Sequence, residues 1–464
     1  MVKKNAWEQY DEQEMRKAEA FAAAYRAFLD GGKTERECVA EGVEEAKAKG
    51  FISLWDALKE GRRLQPGDRV YADWMGKSLM AFIVGTHPVS EGMNILGAHI
   101  DSPRVDVKQN PLYEDEGIAY LDTHYYGGIK KYQWVAQPLA LHGVIVRRDG
   151  TKVTLALGEK DDDPVFCFSD LLIHLAQDQM SKKASEVVEG ETLNLIVGGL
   201  PLKGEEKDSV KQGVLKLLKD QYDIEEEDFL SAELEIVPAG KCRDLGFDRS
   251  MLLGYGHDDR VCAYPSLRAV TDFEGTPDYT LCAILTDKEE IGSVGATGMN
   301  SNFFENTVAE LCTLAQEGCA DLNLRRALRN SRMLSSDVSA GFDPNFASVF
   351  EKKNAAILSR GVCFNKFTGR GGKGGSNDAN AEYIAEIRRI MDGANVDFQT
   401  AELGRVDVGG GGTIAYMCAK YGMNVIDAGI AVLSMHAPYE IIAKCDLWEA
   451  YKGYCAFLKE AKPF

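Results

Sequence analysis

Four short apolar runs in this chain end in residues suited to metal ligation. The run 93–98 leads into His99-Ile100-Asp101, and the run 279–285 leads into Thr286-Asp287-Lys288-Glu289-Glu290. Met333-Leu334 leads into Ser335-Ser336-Asp337, and the run 425–433 leads into Ser434-Met435-His436. In open α/β sheets, residues from distant sequence positions meet beyond the carboxyl ends of the strands, so four such ends can build one site. A fifth segment, Gly256-His257-Asp258-Asp259-Arg260, precedes a helix expected over 261–271. Its acids also suit an ordinary helix N-terminus. Singly, each of these residues has a plain structural use as a core histidine, a surface acid or a turn residue. Together, two histidines and several carboxylates form a nitrogen and oxygen donor set for zinc, manganese or cobalt without thiolate. Asp258 is the best placed to bridge two ions, which in two-metal hydrolytic sites lie roughly 3.5–4 Å apart. Asp101, two residues beyond His99, can act as the acceptor that orients a ligating imidazole. Glu289 and Glu290 are adjacent and must point differently, so one can ligate while the other takes a proton from water and returns it to a leaving amine. That is amide hydrolysis. A nucleophilic serine or cysteine is disfavoured, because no G-x-S-x-G elbow and no Cys/His pairing appears.

The elements that position these residues follow a two-part pattern. At 464 residues the chain suits two to four domains. From about 69 to 98, and again from about 251 onward, short apolar runs alternate with helix-like stretches, the rhythm of an α/β domain with a largely parallel sheet. Between them, strands are expected at 144–147 and 153–157, and the charge run 203–228 reads as a solvated face. The expected organisation is a discontinuous α/β catalytic domain, 1–104 and 246–464, interrupted by an inserted β-rich domain, 105–245. At the N-terminus, Trp7, Tyr10, Ala18, Phe21 and Tyr25 lie near helical spacing, and Gly31-Gly32 closes that helix. Thr34 and Glu37 have the spacing of a capping box, starting a helix that runs to about Lys49.

Composition narrows the partners. With 53 Lys and Arg against 72 Asp and Glu the net charge is −19, which repels nucleic acid and anionic membrane surfaces. No run reaches the roughly 18 apolar residues of a membrane span, and the charged opening segment is not a secretory signal. Eleven scattered cysteines without a C-x-x-C pair point to reduced thiols and a cytoplasmic protein. The glycine run 409–412 lacks the spacing of a nucleotide loop.

The motifs G-A-H-I-D-S-P-R (97–104), H-D-D-R (257–260), D-K-E-E-I-G-S (287–293), S-S-D-V-S-A-G (335–341) and V-L-S-M-H-A-P-Y-E (432–440) together resemble the aspartyl aminopeptidase and aminopeptidase I family of co-catalytic zinc metallopeptidases. The resemblance implies two divalent ions per subunit, most suitably zinc, with manganese or cobalt as alternatives. It makes Asp258 the bridging ligand, with His99 and Asp337 on one ion and Glu290 and His436 on the other. Glu289 becomes the general base and Asp101 the residue that orients His99. It also implies a β-rich dimerisation insert, homo-oligomers built from dimers into tetrahedral dodecamers, and short peptides as substrates. A histidine from the insert reaches a neighbouring subunit's site in this family, and His174 matches its position. The same spacing suits an apolar helix face carrying a core or interface histidine. Asp258-Asp259-Arg260 departs from the Asp-Asn-Leu common in aspartyl aminopeptidases and is closer to the related tetrahedral aminopeptidases. The first-residue preference therefore stays open between acidic, which Arg370 or Lys373 in the loop 367–377 would hold, and neutral or hydrophobic. A deacylase using the same donors and, more remotely, a non-catalytic assembly protein are the alternatives.

Overall fold

The computed structural model describes residues 4–315 and 321–463, which divide into two compact units. One comprises residues up to 101, 242–435 and 440 onward, and the other 102–241 with 436–439. The first is an α/β unit around a nine-stranded mixed sheet. Its strands run in the order Ile52–Ser53, Arg69–Trp74, Ser78–Ile83, Thr280–Thr286, Met93–His99, Arg332–Ser335, Asn424–Gly429, Val362–Asn365 and Phe398–Ala401. The four central strands, from Thr280–Thr286 to Asn424–Gly429, are mutually parallel. Thr286 pairs with His99 and Ser335 with Gly97, so their carboxyl ends finish at one level.

Burial on both faces explains why these strands are continuous apolar runs rather than alternating ones. Every residue of Met93–His99 and Thr280–Thr286 is buried. Side chains still alternate between two cores. Leu79, Ala81 and Ile83 join Leu96 and Ile426 under the helices Glu35–Ala48, His257–Thr271 and Lys444–Glu460. Met80 and Phe82 join Ile95, Ile284 and Met333 against Phe303–Leu314 and Ala415–Ala419. Each leucine, isoleucine, methionine or phenylalanine among them contributes about 1.5–3 kcal/mol by leaving water.

The N-terminal helix is shorter than the spacing suggests. Trp7 lies in a separate 3-10 turn, Ala6–Gln9, and Tyr10 just beyond it. Asp11 then accepts from the Gln13 and Glu14 amides and starts the helix Glu12–Gly31. Two hydrogen-bonded caps outweigh continuous periodicity here. The Thr34/Glu37 capping box is present and begins Glu35–Ala48.

Asp427 ties a loop to the sheet. Its strand register places it opposite Ser335, and the Thr413 hydroxyl donates to its Oδ1 at 2.6 Å, anchoring the end of the glycine run 409–412. Burial pushes the Asp427 carboxyl up to about 7. A carboxyl held above its unfolded value of about 3.9 binds its proton more tightly when folded, so its contribution weakens as pH rises from about 4 through 7. Asp427→Asn removes this dependence. Urea unfolding at pH 5 and 7.5 is expected to show the stability gap, Asn variant minus native, widening by about 2–3 kcal/mol toward the higher pH. An equal gap at both pH values would mean that the carboxyl titrates normally.

The second unit is a six-stranded antiparallel sheet in the order Lys152–Leu157, Leu139–Val146, Ala232–Pro238, Arg104–Asp115, Ile118–Tyr126 and Leu195–Gly198. Arg104 is buried in it, its Nε 2.8 Å from Asp106 and 3.1 Å from Glu235, with the guanidinium 3.9 Å from the centre of the Tyr126 ring. The charge run carries an amphipathic helix, Ser209–Tyr222, whose solvated face holds the charges. His174 stands in a 3-10 turn, Ile173–Leu175, not on a helix face. Its neighbours Leu172, Ile173 and Leu175 are all exposed within this chain. Among the described residues no helix is long and apolar enough to cross a membrane, and the ten described cysteines are free.

Candidate metal centre

The parallel strand ends of the α/β unit bring His99, Asp337, Glu289 and Glu290 to the N-terminal turn that carries Asp258. One ligand atom each from His99, Asp258 and Asp337 lies within 4.8 Å of the others, and the same holds for His99, Glu289 and Glu290. His99 is common to both groups. It ends a buried strand, and its ring is fixed from behind. Nδ1 lies 3.0 Å from the Asp101 carbonyl and 3.3 Å from the Asp101 carboxylate. A carbonyl only accepts, so Nδ1 carries the proton and donates. In the neutral ring, Nε2 then turns its lone pair on Asp258 at 3.2 Å and Glu289 at 3.9 Å.

A lone pair facing two carboxylates is repulsive unless a proton or a metal cation lies between them. The protonation tendencies report the same crowding. Burial alone would lower the His99 imidazole, but Asp101 and Asp258 outweigh it and hold it well above its ordinary value. Burial raises the Asp337 carboxyl well above the usual range, with the charges of Asp259 and Glu289 adding to it. Asp259 is raised likewise by burial and by Asp258, against the pull of His99. An imidazole with its second nitrogen tethered, amid excess carboxylates and no thiolate, is the donor set of a zinc-class ion. The residues present fit such a group.

The supports were less visible in the sequence than the donors. Besides its contact with the ring, Asp101 accepts from the backbone amides of Glu289 and Glu290 through its two oxygens, at 3.1 and 3.2 Å. One carboxylate thus sets both the imidazole and the Glu-Glu turn, Glu289–Ile291. Asp259, to which the sequence assigned nothing, accepts from the His99 amide at 3.3 Å. Buried Glu440 accepts from the Asp258 amide at 2.9 Å. Arg260, also buried, donates to the carbonyls of Ile100 at 3.1 Å and Lys33 at 2.8 Å, clamping the strand end beyond His99. All three lie inside the quoted motifs, and that placement was their signal. Gly429 packs its backbone on the Asp337 carbonyl, where a Cβ would collide, so glycine sets how closely those two segments approach.

His436 sits in the turn after 433, whose backbone pairs with Ile441 in both directions at 3.0 Å. Its Nδ1 donates to the Gly128 carbonyl at 3.1 Å, which leaves Nε2 as the acceptor nitrogen of the ring. In the loop 367–378, Lys373 pairs with Asp378 at 3.0 Å and lies 3.9 Å from the centre of the Phe367 ring, while Arg370 is exposed.

The family model described as aminopeptidase I zinc metalloprotease (M18) matches residues 28–458. The chain belongs to the M18 aminopeptidase family. A probable M18 family aminopeptidase 1 from Clostridium acetobutylicum is 58% identical over 459 residues, covering 98% of each chain. The crystal structure of an M18 aminopeptidase from Thermotoga maritima superposes with a TM-score of 0.94 at 43% identity, over 99% of this chain and 100% of that one. A more distant fold match, 20% identical with a TM-score of 0.76 over 95% of this chain and 96% of that one, is a Saccharomyces cerevisiae aminopeptidase solved as a dodecamer. As an M18 aminopeptidase the chain is a metallo-exopeptidase, a hydrolase of peptide bonds, and its family is a zinc family. The carboxylate and imidazole cluster lies within the matched residues.

Proposed function

We propose that this M18 aminopeptidase removes the N-terminal residue of short peptides with two divalent ions, zinc best fitting the donors and manganese or cobalt able to replace it. The observation that carries the reading is His99, tethered through Nδ1, faced at Nε2 by Asp258 and Glu289, and clustered with Asp337 and Glu290. Asp258 would be shared between the two ions, His99 and Asp337 would hold one, and Glu290 and His436 would hold the other. Ions bound there would supply Lewis-acid polarisation of the scissile carbonyl and charge compensation for the developing oxyanion. Glu289, adjacent to a ligand and turned from it, takes a proton from the attacking water and gives it to the departing amine. Asp101 holds the imidazole and both glutamate amides in place. The acidic surroundings suit a protonated α-amine, which confines cleavage to the first residue.

Acidic first residues are the preferred substrates in this reading. Lys373 is already paired with Asp378, so exposed Arg370 is the better placed of the two to meet a substrate carboxylate. The test is hydrolysis of a panel of N-terminal Asp, Glu, Leu and N-acyl substrates by chelator-treated protein, before and after restoring zinc, manganese or cobalt. Metal-restored release of Asp and Glu supports the reading. Preference for Leu would keep the aminopeptidase and discard the acidic pocket, and N-acyl cleavage alone would make the protein a deacylase.

The reading extends to a cytoplasmic homo-oligomer, built from dimers through the 102–241 unit into a tetrahedral dodecamer, with His174 serving a neighbouring subunit's site. The exposed apolar residues around His174 support it, as does the dodecamer formed by the yeast protein of this fold. Free cysteines suit a reducing compartment. His174→Ala is expected to lower kcat/KM by about 10–100-fold with unchanged metal content and unchanged assembly mass. Unaltered kinetics would return His174 to a packing role.

A further inference from the structure

The helix Asp321–Asn330 and the turn after Ala415–Ala419 frame a cavity of about 430 Å³ outside the proposed metal centre. Among the described residues, four cations line it, Arg325, Arg326, Arg329 and Lys420, against one lining carboxylate, Glu305, with Asp321 paired to Arg325 beside it. In a chain of net charge −19 this is a local reversal of sign. Helix packing fixes it. Leu324, Ala327 and Leu328 are buried, which leaves positions 325, 326 and 329 within an arc of about 100° on the other side. The Arg329 stem lies near Gly422, where an added Cβ would meet its Cγ at 3.4 Å, so the helix end and the turn approach one another. Exposed Leu322 and half-buried Tyr421 supply apolar lining.

Ordinary helix electrostatics account for only part of this. Arg325 pairs with Asp321 at 2.9 Å in an exposed i,i+4 bridge, a contact weak enough in water to be exchanged for a better anion. Arg329 occupies the last helical turn, where the dipole favours a cation. Neither effect calls for Arg326, or for Lys420 arriving from another element at the same hollow.

We propose that this cavity binds a small anion carrying two or more phosphates. Guanidinium forks match phosphate oxygens in bidentate geometry, and several cations across one hollow match a chain of charges better than a single one. The volume falls within the range of small-molecule sites, roughly 300–1,000 Å³. A nucleoside polyphosphate and an inorganic polyphosphate share this chemistry, and the apolar wall of Leu322 and Tyr421 would separate them by accepting a base.

Calorimetric titration of the full-length protein with tripolyphosphate, ATP and adenosine tests the assignment, with Arg326→Glu and Arg326→Gln/Arg329→Gln as variants. The expected result is saturable binding of tripolyphosphate or ATP, none of adenosine, and affinity at least about tenfold weaker in both variants with peptide hydrolysis unchanged. ATP binding much tighter than tripolyphosphate identifies the nucleoside form, and equal binding identifies the inorganic chain. Absence of saturable binding overturns the proposal. So does binding that both variants retain, which would place the phosphates at the metal centre. Variants that change the assembly mass, not the affinity, would assign the cations to a subunit contact.

Discussion

Replacing Glu289 with Gln is expected to lower kcat by about 10³-fold while metal content and KM stay close to native values. The loss corresponds to about 4 kcal/mol of transition-state stabilisation, within the usual worth of a positioned general base. Gln preserves the size of the side chain, and the backbone of residue 289 stays held by Asp101 at 3.1 Å, so the turn keeps its shape. What disappears is the ability to accept a proton. Metal analysis of the purified variant alongside steady-state kinetics reads both quantities. Near-normal turnover would remove Glu289 from the base role. A parallel fall in metal content and activity would instead make Glu289 a ligand, which its 3.9 Å approach to His99 Nε2 permits geometrically. A KM that rises while kcat holds would point to substrate binding alone.

The donors of this site were readable because each follows a local pattern. A buried apolar strand ending in His99, or in Thr286 just ahead of the Glu-Glu turn, announces itself within ten residues, and the parallel sheet then carries the ends to one level. The Thr34/Glu37 capping box is local in the same way. Asp101 as the partner of the imidazole was local and readable, but the supporting bonds that span the chain were not. Asp101 reaches amides 188 and 189 residues away, Glu440 meets Asp258 across 182 residues, and Arg260 reaches Ile100 across 160. No spacing encodes which backbone amide a carboxylate will find. At His174 the sequence left two readings open, the family's reaching histidine and an apolar helix face, and Leu171, Leu172, Ile173 and Leu175 stand exposed in this chain around a 3-10 turn. Apolar residues report burial against something, and a single chain does not say against what.

Asp258→Asn separates the stability of this site from its function. Removing one charge from the proposed bridging ligand is expected to abolish metal retention after dialysis and to bring peptide hydrolysis down to near background. The same change relieves repulsion. Asp258 adds its charge to those pressing on both Asp259 and Asp337, which outweighs the attraction of its Oδ1 for His99 Nε2 at 3.2 Å. Fewer like charges in a buried cluster stabilise the fold when no cation compensates them. Chelator-treated Asp258→Asn is therefore expected to melt higher than chelator-treated native protein, by about 1–3 °C for about 1 kcal/mol in a chain of this size. Added zinc should reverse the order, because a ligand that binds only the folded state raises the melting point of the native protein and leaves the variant where it was. If the variant melts lower than native protein in both conditions, Asp258 is a structural residue whose hydrogen bonds outweigh its charge. If it melts higher in chelator yet gains as much from zinc as native protein does, Asp258 is not a ligand. The crossing of the two melting curves on adding zinc is what distinguishes a carboxylate kept for metal from one kept for the fold.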